Sequence, residues 1–185
     1  PVMDTGGTWR AEVDLTPGSW RVFADFTPTA GPALTLGTDL TVPGTTTQPT
    51  PSAPTRSTQV DDLTVTVTGE MRGGEHSPLR LDVTRDGRPV TDLEPYLGAY
   101  GHLVALREGD LAYLHVHPNG PPGDVRTAAG PTVEFTAEAP TAGRYHLYLD
   151  VKVDEVVRTA HLVLDAGAPS SEASHGTTSS GGGGH

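Results

Sequence analysis

The chain has 185 residues, no cysteine, 35% hydrophobic residues and a formal net charge of −11. The absence of cysteine excludes a disulfide framework, a thiolate metal site and a cysteine nucleophile, and no apolar run reaches the roughly 18 residues that a membrane-spanning helix needs. The acidic balance argues against binding to nucleic acid or to an anionic membrane surface, and it favours attraction of cations.

Residues 1–42 repeat a later part of the chain. The run LTPGSWRVFADF (15–26) aligns with PTAGRYHLYLDV (140–151), so that Trp20 matches Tyr145. We therefore predict that residues 1–42 are the C-terminal strands of a truncated first β-sandwich, and that the chain is a fragment of a two-domain parent. Half a sandwich leaves a strand edge and an apolar face unpaired, so we expect this segment to be poorly ordered or docked on the second domain.

Two segments have the composition of unfolded chain. Residues 43–58, PGTTTQPTPSAPTRST, are predicted to be a Thr/Pro-rich extended linker. Residues 168–185 are predicted to be a disordered Ser/Gly/His tail. Linkers of this kind are typical of exported proteins, so an extracytoplasmic location is expected, with no signal sequence present in this chain.

Residues 59–167 consist of short alternating runs without helix-length periodicity. About seven runs are separated by glycine, proline and aspartate turns, among them Asp86-Gly87 and one near Asp154-Glu155. This pattern predicts a complete domain of antiparallel strands, an immunoglobulin-like β-sandwich. The predicted fold class of the whole chain is all-β.

The strongest candidate site is the set of three histidines in GHLVALREGDLAYLHVHPNG, residues 101–120. His115 and His117 share one strand face because residues i and i+2 point to the same side. If Gly109-Asp110 is a two-residue turn, His102 lies directly across from His117 and the three imidazoles converge. A three-residue loop or a bulge would shift the register by one residue and turn His102 to the other face.

An all-imidazole site without thiolate suits Cu(II), Zn(II) or Ni(II), and Cu(II) stands first in the affinity order. We therefore predict a divalent metal ion, copper ahead of zinc, and no organic cofactor. Water, Asp110 or Asp124 would supply a fourth ligand. Two other interpretations stay open: the histidines donate to backbone carbonyls and fasten the hairpin, or they lie on the surface by chance.

His146 and His161 are weaker metal candidates. Because the apolar residues that flank His146 are predicted to face the core, His146 points outward. A turn near Asp154-Glu155 puts His161 beside Tyr148, one step from His146. The competing interpretation is that these are ordinary exposed histidines on a solvated sheet face.

The chain contains no recognisable catalytic constellation. Its serines have no nucleophile-elbow context, its carboxylates are spread over turns, and no glycine-rich loop leads from a strand into a helix. We therefore predict a protein without enzymatic activity.

The runs DGRPVTDLEPYLGAYGHLVALREGDLAYLHVHPNG and FTAEAPTAGRYHLYLDVKVDEVVRTAHLVLDAG resemble a group of actinobacterial exported proteins. These proteins are often labelled heavy-metal-binding or secreted, and they carry two immunoglobulin-like sandwiches. The resemblance covers about residues 58–167. It implies extracytoplasmic metal handling, with copper the expected metal, and it matches His102 of GHLV and His115 and His117 of LHVHP. His146 departs from the arginine or polar residue of that group, so the resemblance assigns it no role.

The sequence thus predicts a non-catalytic, copper-binding β-sandwich protein that is secreted or associated with the cell envelope. The alternative is a structural or interaction module of the envelope, in which the histidines are structural and a sheet edge meets a partner. The predicted partners are a metal ion and a membrane or envelope protein. A metal site needs three imidazole nitrogens within about 4 Å of one another, whereas an interaction module does not.

Overall fold

The computed structural model describes residues 1–46, 50–120 and 126–170, without the side chains of His115 and His117. The chain divides into two compact units, Pro1–Pro51 and Ser52–His185. All regular structure in the described residues is β-strand, which confirms the predicted all-β class. Within those residues, no helix is long and apolar enough to cross a membrane. Most of the predicted tail and part of the predicted linker lie outside the described residues.

The first unit contains two antiparallel hairpins. Their strands are β1 (Val2–Met3), β2 (Trp9–Arg10), β3 (Gly18–Phe26) and β4 (Leu34–Val42). Apolar and polar residues alternate along β3 and β4, so the ladder places Trp20 beside Leu40 on one apolar face. That face is poorly covered, because the side chains of Trp20 and Leu36 are 38% and 58% exposed.

The second unit contains one continuous, mostly antiparallel sheet of ten strands in the order β5-β6-β8-β12-β11-β10-β13-β14-β7, with β9 paired to β8. The strands are β5 (Ser57–Val60), β6 (Leu63–Thr68), β7 (Met71–Arg72), β8 (His76–Arg85), β9 (Arg88–Pro89), β10 (His102–Arg107), β11 (Tyr113–Pro118), β12 (Thr132–Glu138), β13 (Gly143–Val153) and β14 (Val156–Gly167). The predicted turns at Asp86-Gly87 and Asp154-Glu155 are both present as two-residue connections.

The alternating pattern of these strands builds one core. Every second residue of β6, β8, β10, β12 and β13 is buried, while the residues between them face outward. The core is formed chiefly by Leu63, Val65, Leu79, Leu81, Leu103, Phe135, Tyr145, Leu147, Leu149, Leu162 and Leu164. Burial of each such side chain stabilises the fold by about 1.5–3 kcal/mol relative to exposure.

The strands group as an immunoglobulin-like sandwich does. β6, β8 and β12 lie together, and β10, β13 and β14 lie together, the grouping of the ABE and CFG sheets. β11 connects the two groups, since its first residues pair with β10 while His117 and Pro118 pair with Thr136 and Phe135 of β12. The histidine hairpin therefore lies where one sheet continues into the other.

The same corner occurs in both units. The hydroxyl of Tyr145 donates to the carbonyl oxygen of Thr141 at 2.9 Å, as in the tyrosine corner of immunoglobulin-like folds. Nε1 of Trp20 donates to the carbonyl oxygen of Thr16 at the same distance of 2.9 Å and the same spacing of four residues. The repeated sequence thus folds in the same way locally in the two units.

Candidate metal centre

The β10–β11 hairpin has the strand register that the predicted site of His102, His115 and His117 requires. Its ladder is formed by the pairs Leu103–Val116, Val104–His115, Ala105–Leu114 and Leu106–Tyr113. One more pair in this register would set the backbone of residue 102 opposite that of residue 117. The one-residue shift that would turn His102 to the other face is therefore absent from this ladder.

The connection between these strands is longer than predicted. The backbone N–H of Arg107 donates to the carbonyl of Ala112 at 3.1 Å, and that of Leu111 donates to the carbonyl of Arg107 at 3.0 Å. Residues 108–111 thus form a four-residue loop instead of the predicted Gly109-Asp110 turn. The register is unchanged because the loop gains one residue on each side.

Asp110 is bound within this loop. Its carboxylate accepts from Nε of Arg107 at 3.0 Å and from the backbone N–H of Ala112 at 3.1 Å. These hydrogen bonds, that of Arg107 foremost, hold the pKa of Asp110 well below its usual range. The loop is at the opposite end of β10 from His102, about 16 Å away at 3.3 Å per strand residue. Asp110 is thus not placed as a fourth ligand, and Asp124 lies outside the described residues.

His102 begins β10 on the outer face of the sheet. It is partly buried, whereas its neighbour Leu103 is fully buried on the core side, and it pairs with Asp150 of β13. The backbone just before β10 lies close to the core, because a Cβ on Gly101 would lie 3.2 Å from Cδ1 of Leu149. Packing against the core therefore fixes the backbone that carries His102.

Convergence of the three hairpin imidazoles stays a prediction, because the side chains of His115 and His117 lie outside the described part of the structure. Among the side chains that are described, no three from histidine, cysteine, aspartate and glutamate are grouped to hold a metal ion.

His146 and His161 lie together on neighbouring strands. The β13–β14 ladder pairs Tyr148 with His161 and His146 with Val163, so the two histidines are diagonal neighbours, as predicted. Nδ1 of His146 is 3.0 Å from Nε2 of His161, a hydrogen-bonding distance. Their rings are nearly parallel and meet edge to edge, with an interplanar angle of 11° and centroids 5.2 Å apart.

Two further residues, Tyr148 and Glu108, complete this cluster, although no sequence pattern indicates a role for them. The ring of Tyr148 stacks on the ring of His161 with centroids 4.7 Å apart. Oε1 of Glu108 is 3.6 Å from Nε2 of His146. Glu108 reaches this position because its backbone N–H donates to the carbonyl of Arg144, the second residue of β13, at 2.8 Å.

The pKa of His161 is lowered from its usual value of 6.5, first by burial and then by repulsion from His146. The neutral imidazole is thus the favoured form at neutral pH. Since the unfolded chain binds this proton more readily, the free energy of unfolding should fall as the pH drops below about 6.5 and level off below the folded-state pKa. We expect NMR titration to give His161 a midpoint below 6.5. We expect the midpoint to rise in His146→Gln, and an unchanged midpoint would contradict the assigned repulsion.

Comparison with known proteins identifies the family of the second unit. Residues 58–168, more than half of the chain, match a domain of unknown function, DUF8832. The chain belongs to the DUF8832 family. The DUF8832 region runs from β5 to the end of β14 and therefore contains all the histidines discussed above.

No curated protein matches the chain significantly. Among solved structures, the crystal structure of a DUF4426 family protein from Pseudomonas aeruginosa PAO1 is similar to it. That protein has 10% sequence identity and a TM-score of 0.44, and the match covers 60% of this chain and 96% of the other. No conclusion about function follows from a likeness at this level.

Proposed function

We propose that this DUF8832 protein binds a divalent metal ion, copper in preference to zinc, through His102, His115 and His117. It acts outside the cytoplasm and catalyses no reaction. The observation that supports the proposal is the register of the β10–β11 ladder, which ends at the pair Leu103–Val116 and, continued by one pair, would set residue 102 opposite residue 117. Residues 115 and 117 are two apart on one strand, so strand geometry predicts the same side of the hairpin for all three imidazoles.

The chemistry of the donor set favours copper. Neutral imidazole is a ligand for Cu(II) and Zn(II), and Cu(II) binds more tightly to such nitrogen sites. Directly opposed residues that do not share hydrogen bonds have Cβ atoms about 4.5–5.5 Å apart, close enough for two imidazoles to reach one ion. The formal charge of −11 attracts cations to the protein.

An extracytoplasmic location is part of the proposal. Residues 43–58 form a Thr/Pro-rich stretch of the kind found in exported proteins. The resemblance to exported heavy-metal-binding proteins agrees with this location.

Calorimetric titration with Cu(II) and with Zn(II) tests the proposal. Every protein should carry His175→Asn and His185→Asn, so that the histidines near the C-terminus do not bind the probe. We expect the full chain to bind Cu(II). The variant His115→Ala/His117→Ala should no longer bind the Cu(II) ion that has the highest affinity for the full chain. Circular dichroism should show that this variant remains folded.

His76→Ala is the matched control. His76 lies in the same unit, and its Nδ1 is 2.9 Å from Oε1 of Glu138 on the surface. Its replacement should leave the tightest equivalent intact. Failure of the full chain to bind Cu(II), or an unchanged tightest equivalent in His115→Ala/His117→Ala, would contradict the proposal.

The second candidate is an interaction module. The observation in its favour is the apolar face of β3 and β4, where Leu36 is 58% exposed, because exposed apolar patches often mark contact surfaces. In this case the hairpin histidines fasten β10 to β11. The titration would then show no Cu(II) binding, and His115→Ala/His117→Ala would lower the midpoint of thermal unfolding.

A further inference from the structure

His146 and His161 belong to a different place on the sheet from the hairpin histidines. The ladders align residues 115, 104, 148 and 161 in one row across β11, β10, β13 and β14. Three steps between strands separate residue 115 from residue 161, about 14 Å at 4.8 Å per step. One metal ion cannot be shared over that distance, so any ion at His161 would occupy a separate site.

The two imidazole nitrogens are as far apart as neighbouring ligands of one ion, but they point at each other in this structure, so both rings must turn for one ion to bind between them. Ligand nitrogens about 2.0–2.1 Å from a shared ion, at angles between square-planar and tetrahedral, are about 2.8–3.4 Å apart. Nδ1 of His146 and Nε2 of His161 are 3.0 Å apart. Stacking with Tyr148 holds the ring of His161 in this orientation.

Glu108 determines which nitrogen of His146 is available. Its Oε1 faces Nε2 of His146 at 3.6 Å, too far for a hydrogen bond but close enough to favour the proton on that nitrogen. Nδ1 is then left with its lone pair directed toward His161. Metal-binding histidines commonly place a carboxylate behind the ring in this way, which raises the basicity of the ligand nitrogen.

We propose that His146 and His161 form a second metal site, in which Nδ1 of His146 and Nε2 of His161 bind one divalent transition-metal ion. Glu108 is a positioning residue whose carboxylate faces the protonated Nε2 of His146. Water completes the coordination, because the side chain of His161 is exposed. The ion takes the place of the proton on Nε2 of His161 that otherwise joins the two nitrogens, and His161 stays neutral because it carries its proton on Nδ1 instead.

The test isolates this site from the hairpin. The full chain carrying His115→Ala, His117→Ala, His175→Asn and His185→Asn is titrated with Cu(II) by calorimetry. We expect it to bind one equivalent. Adding His161→Gln should lower the affinity by more than the roughly 10–100-fold expected for Glu108→Gln, since loss of a ligand costs more than loss of the group behind it. His76→Gln in the same background should have no effect.

Failure of this proposal is distinguishable from failure of the proposed function. If the background protein binds no Cu(II), or if His161→Gln leaves its binding unchanged, the second site is refuted while the hairpin site stands. If the otherwise unmodified chain binds a single equivalent that survives His115→Ala/His117→Ala and is lost in His161→Gln, the second site holds and the hairpin site is refuted. In long-range ¹H–¹⁵N spectra, addition of Zn(II) should change the ¹⁵N chemical shifts of Nδ1 of His146 and Nε2 of His161.

Discussion

Tyr145→Ala is expected to lower the free energy of unfolding of the second unit by about 3–5 kcal/mol, the range for removing a large buried aromatic side chain. Tyr145 is fully buried, at 0% exposure, between the two groups of strands. Its hydroxyl also donates to the carbonyl oxygen of Thr141. The variant thus loses apolar contacts and leaves a carbonyl acceptor without its partner.

Two variants separate these contributions. Tyr145→Phe keeps the ring and removes the hydrogen bond, so it should cost about 1–3 kcal/mol. Trp20→Ala removes the equivalent hydrogen bond of the first unit, but Trp20 is 38% exposed and buries less of its surface. We expect a smaller loss there. If Tyr145→Ala costs less than Trp20→Ala, the corner of the second unit does not belong to the core as described.

The two units can be followed separately in urea. Both tryptophans, Trp9 and Trp20, are in the first unit, and all five tyrosines are in residues 96–148 of the second. Tryptophan fluorescence therefore reports unfolding of the first unit. Tyrosine absorbance and circular dichroism report mainly the second.

Gly73→Ala is expected to destabilise the second unit by about 1–3 kcal/mol, the usual cost of forcing an extra methyl group into a packed site. A Cβ at residue 73 would lie 2.3 Å from the backbone nitrogen of Ala142 and 2.5 Å from the carbonyl carbon of Thr141. Neither atom belongs to a flexible side chain, so the corner that precedes Tyr145 must move. Urea denaturation followed by circular dichroism measures the loss.

Gly167→Ala is the matched control for this variant. Gly167 accepts the backbone hydrogen bond of Gly73 at 2.9 Å, yet a Cβ on Gly167 would meet no atom closer than 3.9 Å. Its replacement should be nearly neutral. Equal effects of the two substitutions would show that the close approach at Gly73 is not what requires glycine there.

Local features of this fold could be predicted from the sequence. The alternation of Leu63, Val65 and Val67 with threonine specifies which face of β6 is buried, because the side-chain period of a strand is two. The position of His161 beside Tyr148 followed from the two-residue turn at Asp154-Glu155. Both depend only on residues close together in the chain.

The remaining features depend on contacts between distant residues. The loop at 108–111 was not predicted because Leu111 adopts a positive φ of 52°, which a leucine gives no reason to expect. Glu108 joins the His146 cluster only because β10 pairs with β13, a contact between residues about forty positions apart that no local pattern indicates. The division of β11 between two partner strands likewise depends on the whole sandwich.

The most direct test of the account is a crystal structure of the full chain grown with Zn(II) and with Cu(II), with anomalous diffraction measured at each metal's absorption edge. If the hairpin binds the metal, an anomalous peak is expected about 2.0–2.1 Å from an imidazole nitrogen of each of His102, His115 and His117. An ordered β10–β11 hairpin with no such peak, and with these imidazoles bonded to backbone carbonyls, would contradict it.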